Sequence, residues 1–279
     1  MAILELKGVS KSFPRHDRGK SQSGKVEVLR DINLSIRENE FVCIVGRSGA
    51  GKTTLVSLIA GLIEADTGTI LLEGRPIEGP GPDRGVIFQN YSLLPWLSVF
   101  ENVYLAVDAV ASHLSPAEKR QRTESYIKLV NLGAAMNKVP RELSGGMRQR
   151  VAVARGLAME PRVLLLDEPF SALDALTRGT LQEELARIWT ETRKTVVMIT
   201  NDIDEAILLA DTIYTLTSAP GATLGPAIIV DAVHPRGRMQ LTGFAGCQKA
   251  RRETLKALTP SKGEHGRASA EDPVPAITH

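Results

Sequence analysis

At 279 residues with 43% hydrophobic side chains, the chain can bury one substantial core and has room for a smaller subdomain. A formal net charge of only +2 argues against the basic surface that nonspecific nucleic-acid binding requires, because that affinity comes mainly from neutralising phosphates. The two cysteines, Cys43 and Cys247, offer no basis for a disulfide framework or a cysteine zinc site.

The N-terminal run Met1-Ala2-Ile3-Leu4-Glu5-Leu6-Lys7 lacks the pattern of a signal peptide. No apolar run approaches the roughly 18 to 20 residues of a spanning helix, so a cytosolic chain is expected. Short apolar segments rich in Val and Ile recur at Phe41 to Val45, Gly85 to Phe88, Val163 to Leu166 and Thr195 to Thr200. Strands buried on both faces have this composition, which predicts a largely parallel sheet with Cys43 as a small buried thiol. Between them Leu55, Leu58, Ile59 and Leu62 repeat at helical spacing, as do Leu181, Leu185, Ile188 and Trp189. The layout is α/β. Tyr91 to Arg141 carries no comparable strand but does carry helix-like segments such as Pro116 to Leu132, which predicts an inserted helical subdomain over about 91–160. From about Thr259 the chain is rich in Ser, Gly, Pro and charge, and a disordered tail is expected over 259–279.

Three motifs carry chemistry. Gly46-Arg47-Ser48-Gly49-Ala50-Gly51-Lys52-Thr53-Thr54 follows a strand and opens a helix, matching the phosphate-binding P-loop. Its glycines let backbone N–H groups curl around phosphates, the helix N-terminus adds positive potential, Lys52 reaches the β- and γ-phosphates, and Thr53 can hold magnesium. Next, Val163-Leu164-Leu165-Leu166-Asp167-Glu168-Pro169 is an apolar strand ending in two acids, where ligands bind in an α/β sheet. Asp167 is the candidate magnesium residue and Glu168 the candidate general base. Last, Leu143-Ser144-Gly145-Gly146-Met147-Arg148-Gln149 precedes a helical pattern with Ser144 as N-cap. It forms a second anion-binding surface. One chain has one P-loop, so this surface needs another ATP.

Over roughly residues 2 to 230 the chain resembles an ABC transporter ATPase, with each diagnostic segment in order. The resemblance implies a P-loop NTPase (RecA-like) core with a mostly parallel sheet, an antiparallel β subdomain and the inserted helical subdomain. It places Phe13 on adenine, Gly46 to Thr54 on the phosphates, and Gln89 on magnesium and the attacking water. Ser144, Gly145 and Gly146 would clasp the ATP held by a facing subunit, and Asp174 lies in the loop linking the two sites. The family implies ATP and Mg2+, a second ATPase subunit, a membrane permease, an extracytoplasmic solute-binding protein, a peripheral place on the cytoplasmic membrane face, and no nucleic acid.

Asn201 stands where the family usually has a histidine. An amide can still donate to the γ-phosphate, yet cannot change charge near neutral pH. It is a candidate positioning residue or simply the lead into a helix capped by Asp202 and Glu205. Tyr91, Leu94, Trp96 and Leu97 are candidates for the permease contact or for the core of the helical subdomain. The string Phe88-Gln89-Asn90-Tyr91-Ser92-Leu93-Leu94-Pro95-Trp96 resembles importer ATPases of the nitrate, taurine and alkanesulfonate group, nitrate or nitrite most of all. Taurine or a sulfonate is the alternative. A soluble ABC ATPase of nucleic-acid metabolism would carry coiled coils, zinc modules or a second cassette, and none is visible. A binding-only regulatory cassette is opposed by the intact Lys52, Asp167 and Glu168. The basic segment 231–258, with Arg236, Arg238, Lys249, Arg251, Arg252 and Lys256, reads as a solvated face, and His16, His113, His234, His265 and His279 as surface histidines.

Overall fold

The computed structural model describes residues 2–15 and 24–259, including every side chain there except those of Met239 and Gln240. The chain opens with two long strands, β1 (Ala2–Pro14) and β2 (Lys25–Arg37), then β3 (Phe41–Gly46) and helix α1 (Lys52–Ile59). Strands β4 (Thr67–Leu72), β5 (Arg75–Pro76) and β6 (Arg84–Ile87) follow. Helices α2 (Val99–Val110), α3 (Pro116–Leu129) and α4 (Gly145–Ala158) come next. The chain then alternates through β7 (Val163–Asp167), α5 (Ala175–Thr192), β8 (Thr195–Thr200), α6 (Ile203–Leu209), β9 (Thr212–Leu216) and β10 (Ile228–Ile229). Helices α7 (Arg238–Gly243) and α8 (Ala245–Leu258) are the last elements among the described residues.

The larger sheet has the order β10-β9-β3-β8-β7-β6, parallel throughout except for the β9–β10 pair. Every residue of β3, β7 and β8 is buried, as strands covered on both faces must be. Because side chains alternate along a strand, each strand feeds two cores. Phe41, Cys43, Val45, Leu164, Leu166, Val196 and Met198 pack with the helices α2 to α6 on one face. Val42, Ile44, Val163, Leu165, Val197 and Ile199 pack on the other with α1 and with the antiparallel sheet β2-β1-β4-β5. Between β6 and β7 the described chain is helical, with α2 and α3 each opened by a Ser–Glu capping box at Ser98/Glu101 and Ser115/Glu118.

Three expectations need correction. The helix expected over Pro116 to Leu132 stops at Leu129, and Asn131 takes a left-handed φ of 57° that turns the chain away. His234 is not a surface residue. Its side chain is 7% exposed, with Nε2 3.1 Å from Asp211 Oδ1 and the ring edge-on to Trp189 at 4.7 Å. The segment 231–258 is not merely a solvated face either, since Arg236 is 2% exposed and α8 buries Cys247, Ala250 and Thr254. Beyond Thr259 the expected tail lies outside the described residues, as do His16, His265 and His279.

Candidate active site

The sheet brings the C-terminal ends of β3, β7 and β8 together: Val45 pairs with Thr200, and Asp167 with Ile199. Beyond β3 the chain turns through Gly49 and Gly51 at φ 77° and 94°, values a side chain rarely adopts. A Cβ at Gly51 would also lie 2.8 Å from Val28 Cγ1, so β2 presses on the loop from behind. No side chain caps α1, which leaves its first N–H groups for an anion. Arg47, Ser48 and Gly49 are exposed, Ala50 is buried, and Thr53 is exposed beside the half-buried Thr54. Lys52 is buried, its Nζ donating to Gly46 O at 2.9 Å and Arg47 O at 3.1 Å.

The two acids meet this loop in register. Thr53 Oγ1 donates to Asp167 Oδ1 at 3.3 Å, and Lys52 Nζ lies 3.1 Å from Glu168 Oε1. Burial pushes the Asp167 carboxyl above its ordinary pKa, opposed by the Thr53 hydrogen bond and reinforced by the neighbouring Glu168 charge. Glu168 takes a left-handed φ of 43°, and its N–H donates to Ile199 O at 3.0 Å on β8. That bond fixes where the carboxylate leaves the strand.

Asn201 joins the same locality. Together with Glu168, Ser171, Arg178, Thr200, Asp202 and Glu205 it lines a cleft of about 160 Å³. Asp202 alone caps α6, accepting from the N–H groups of Asp204 at 2.8 Å and Glu205 at 3.3 Å. Glu205 was expected to share in that cap and does not. It is 5% exposed, with Oε2 accepting from Thr200 Oγ1 at 2.7 Å and Oε1 from Gln182 Nε2 at 3.0 Å.

Gln89 is exposed two residues past β6. The loop behind it is held by Arg155 of α4, which donates to Tyr91 O at 2.9 Å and Ser92 O at 2.6 Å. Asn102 pins the next stretch through Leu94, Leu97 and Ser98, and Trp96 stands out of it 71% exposed. Trp96 is thus no part of the helical core. Phe13, on β1, is 37% exposed, with the Lys11 ammonium 5.6 Å from its ring centroid.

Ser144, Gly145, Gly146 and Asp174 belong to a different locality. The Ser144 hydroxyl accepts from Met147 N at 3.2 Å to cap α4, and Asp174 accepts from Thr177 N at 3.0 Å to cap α5. That backbone donor holds the Asp174 carboxyl below its ordinary pKa. Ser144 and Gly146 line a separate cleft of about 250 Å³ with Met147, Arg150, Thr177, Thr180 and Leu181, and no P-loop residue contributes to it. Helix packing here needs Gly146, whose Cβ would lie 2.7 Å from Thr177 Cγ2. Arg155 and Gln182 carried no motif signal; a lone polar residue on a helix becomes meaningful only once its partners are known.

The ABC transporter family model matches residues 29–171, which hold the P-loop, the Ser-Gly-Gly segment and both acids. The chain belongs to the ABC transporter family. This cassette is 47% identical over 256 residues to the nitrate import ATP-binding protein NrtD of Synechococcus elongatus, covering 92% of the chain and 91% of that relative. It is 51% identical over 242 residues to the bicarbonate transport ATP-binding protein CmpC of Synechocystis, covering 87% of the cassette but only 36% of that longer relative. The cassette also superposes on the ATP-binding cassette MJ0796, solved as a dimer in a post-hydrolysis state bound to ADP and Pi. That match has a TM-score of 0.69 and 31% identity, and spans 82% of this chain and 100% of that one. Among the described residues no helix is long and apolar enough to cross a membrane.

Proposed function

We propose that the cassette is the ATP-hydrolysing subunit of an ABC importer that drives nitrate or nitrite uptake through a separate permease. One observation carries the chemistry: consecutive P-loop residues Lys52 and Thr53 meet consecutive strand-end acids Glu168 and Asp167 at 3.1 and 3.3 Å. Phosphate ligands and a water-activating carboxylate are thereby held in one place. Phosphoryl transfer needs placement and charge stabilisation there more than covalent chemistry.

In this reading Phe13 stacks on adenine and the amides of Gly46 to Thr54 cradle the phosphates with Lys52. Glu168 orients the attacking water and takes its proton, and the Asn201 amide donates to the γ-phosphate. Thr53, Gln89 and Asp167 are hard oxygen donors that suit Mg2+, which keeps few protein ligands and completes its shell with water and phosphate. Bound there, Mg2+ would neutralise charge on the β- and γ-oxygens. Ser144, Gly145 and Gly146 serve the ATP of a facing cassette, and Asp174 links the two sites; the separation of the cleft lined by Ser144 and Gly146 from the P-loop supports this division of labour. Residues 1–230 form the ATPase domain and 231–258 an extension of it. The protomers dimerise on the cytoplasmic membrane face, where Trp96 meets the permease and a solute-binding protein delivers the cargo outside.

The likeness to NrtD favours nitrate; the likeness to CmpC makes bicarbonate the second reading. The deciding experiment purifies the cassette with its native permease in vesicles and measures ATP turnover with the binding protein and nitrate, bicarbonate or taurine. Stimulation by nitrate alone supports the proposal. Stimulation by bicarbonate or taurine alone replaces the solute, and no ATP turnover under any condition refutes the enzyme.

A further inference from the structure

Three arginines of the basic C-terminal segment converge on α6, the seven-residue helix that begins two residues after Asn201. Arg236 is buried at the helix C-terminus, where its guanidinium donates to Ile207 O at 2.9 Å and Ala210 O at 2.6 Å, and also to Val230 O and Ala232 O. Last-turn carbonyls lack partners within a helix, and a cation is favoured there. Arg251, on α8, pairs with Asp204 at the other end of α6. Arg238 acts through an intermediary: its Nη2 donates to Gln182 Oε1 at 3.0 Å, and Gln182 Nε2 donates to Glu205 Oε1 at 3.0 Å. The other oxygen of Glu205 accepts from Thr200 Oγ1 at 2.7 Å, and that hydroxyl accepts from Asp202 N at 3.0 Å. The sequence of bonds therefore ends on the two residues that flank Asn201.

We propose that the C-terminal extension clamps α6 and thereby positions Asn201, with Arg238 and Glu205 as positioning residues for ATP hydrolysis. The inference rests on the role given to Asn201 above. A helix this short has little stability of its own, so its place is set by what grips it. Asn201 lies in the hinge between buried β8 and that helix, and a shift of α6 moves its amide. Fit at Gly179 shows how closely Arg238 is held: a Cβ there would lie 2.7 Å from Arg238 Cζ. The clamp thus gives the extension, which lies outside the matched family segment, a means to set turnover.

The test is a double-mutant cycle in the full-length chain, reading kcat and KM for ATP together with thermal unfolding. Arg238→Ala is expected to lower kcat about three- to tenfold at unchanged KM, the scale of a typical net hydrogen bond. Arg238→Lys should recover part of that loss. Gly179→Ala, which favours the helix itself while displacing the guanidinium, should slow turnover without lowering the unfolding temperature. In an Asn201→Ala background Arg238→Ala should cost nothing further, because the residue it acts through is gone. Equal fold-losses in both backgrounds, or an unchanged kcat for Arg238→Ala and Gly179→Ala, would overturn the clamp while leaving Asn201 in its role. Should Asn201→Ala itself turn over normally, both the role of that amide and the clamp fail.

Discussion

The Lys52 ammonium lies 3.1 Å from the Glu168 carboxylate, joining the phosphate-binding loop to the strand end that supplies the candidate base. Lys52 is fully enclosed while Glu168 keeps partial access to solvent, with side-chain exposures of 4% and 19%. This difference in access fits the proposed roles, phosphate binding for the lysine and proton transfer from water for the glutamate. Glu168→Gln keeps the shape and removes the base. It should retain ATP binding yet lose about 100- to 10,000-fold in hydrolysis, the usual scale for general base catalysis. Single-turnover phosphate release beside an equilibrium nucleotide-binding measurement checks both halves.

Asp167 carries a stability signature. Burial raises its folded pKa above the unfolded value, so the folded chain binds this proton more tightly than the unfolded chain. The resulting stabilisation is present below the ordinary aspartate pKa and is lost as pH rises through the raised one. Asp167→Asn is neutral at every pH and should melt above the wild type at pH 7. The difference should shrink as pH falls through the raised pKa, while magnesium-dependent ATP binding is weakened throughout. Melting curves across the acidic range read this directly.

Ser144→Ala removes the cap of α4 and should cost about 1 kcal/mol of stability. A larger effect is expected where two cassettes meet: combined with Glu168→Gln, it should reduce the ATP-dependent dimer seen by light scattering. Full dimerisation at equal nucleotide concentration would remove Ser144 from the facing site.

Trp96, at 71% exposure, contributes little to the core. Trp96→Ala should change folding stability by no more than about 0.5 kcal/mol. Loss of an exposed aromatic anchor typically costs about 2 kcal/mol or more at an interface, so co-purification with the permease should fall steeply. Normal recovery of the complex would place the permease contact elsewhere.

Asn201→His introduces an imidazole into a cleft shared with Glu168. Turnover of that variant should acquire a pH-dependent limb near about 6.5, absent from the wild type. Superimposable pH profiles would show that the position does not reach the reacting phosphate.

How much of this was legible in the sequence varied with the range of the interaction. The strands at Phe41, Val163 and Thr195 were readable because burial on both faces enforces continuous apolar runs, and the structure bounds them within a residue or two. The end of α3 is not legible in the sequence because a left-handed Asn131 is a local backbone choice that helical periodicity does not report. Arg236, Arg238 and Arg251 read as solvated charge, for a guanidinium bonded to acceptors distant along the chain has the same composition as one in water. The burial of His234 is hidden for the same reason, its partners Asp211 and Trp189 being remote along the chain.

The order of motifs alone determined the nucleotide chemistry, since a strand, a glycine turn and a helix start dictate a phosphate cradle from consecutive residues. Tertiary structure decided which groups share a cleft: it put Asn201 beside Glu168, set Ser144 apart from the P-loop, and folded the basic extension onto α6. The reason is that backbone geometry is written in neighbouring residues, whereas a hydrogen bond between α7 and α5 exists only after folding has brought residues remote along the chain together.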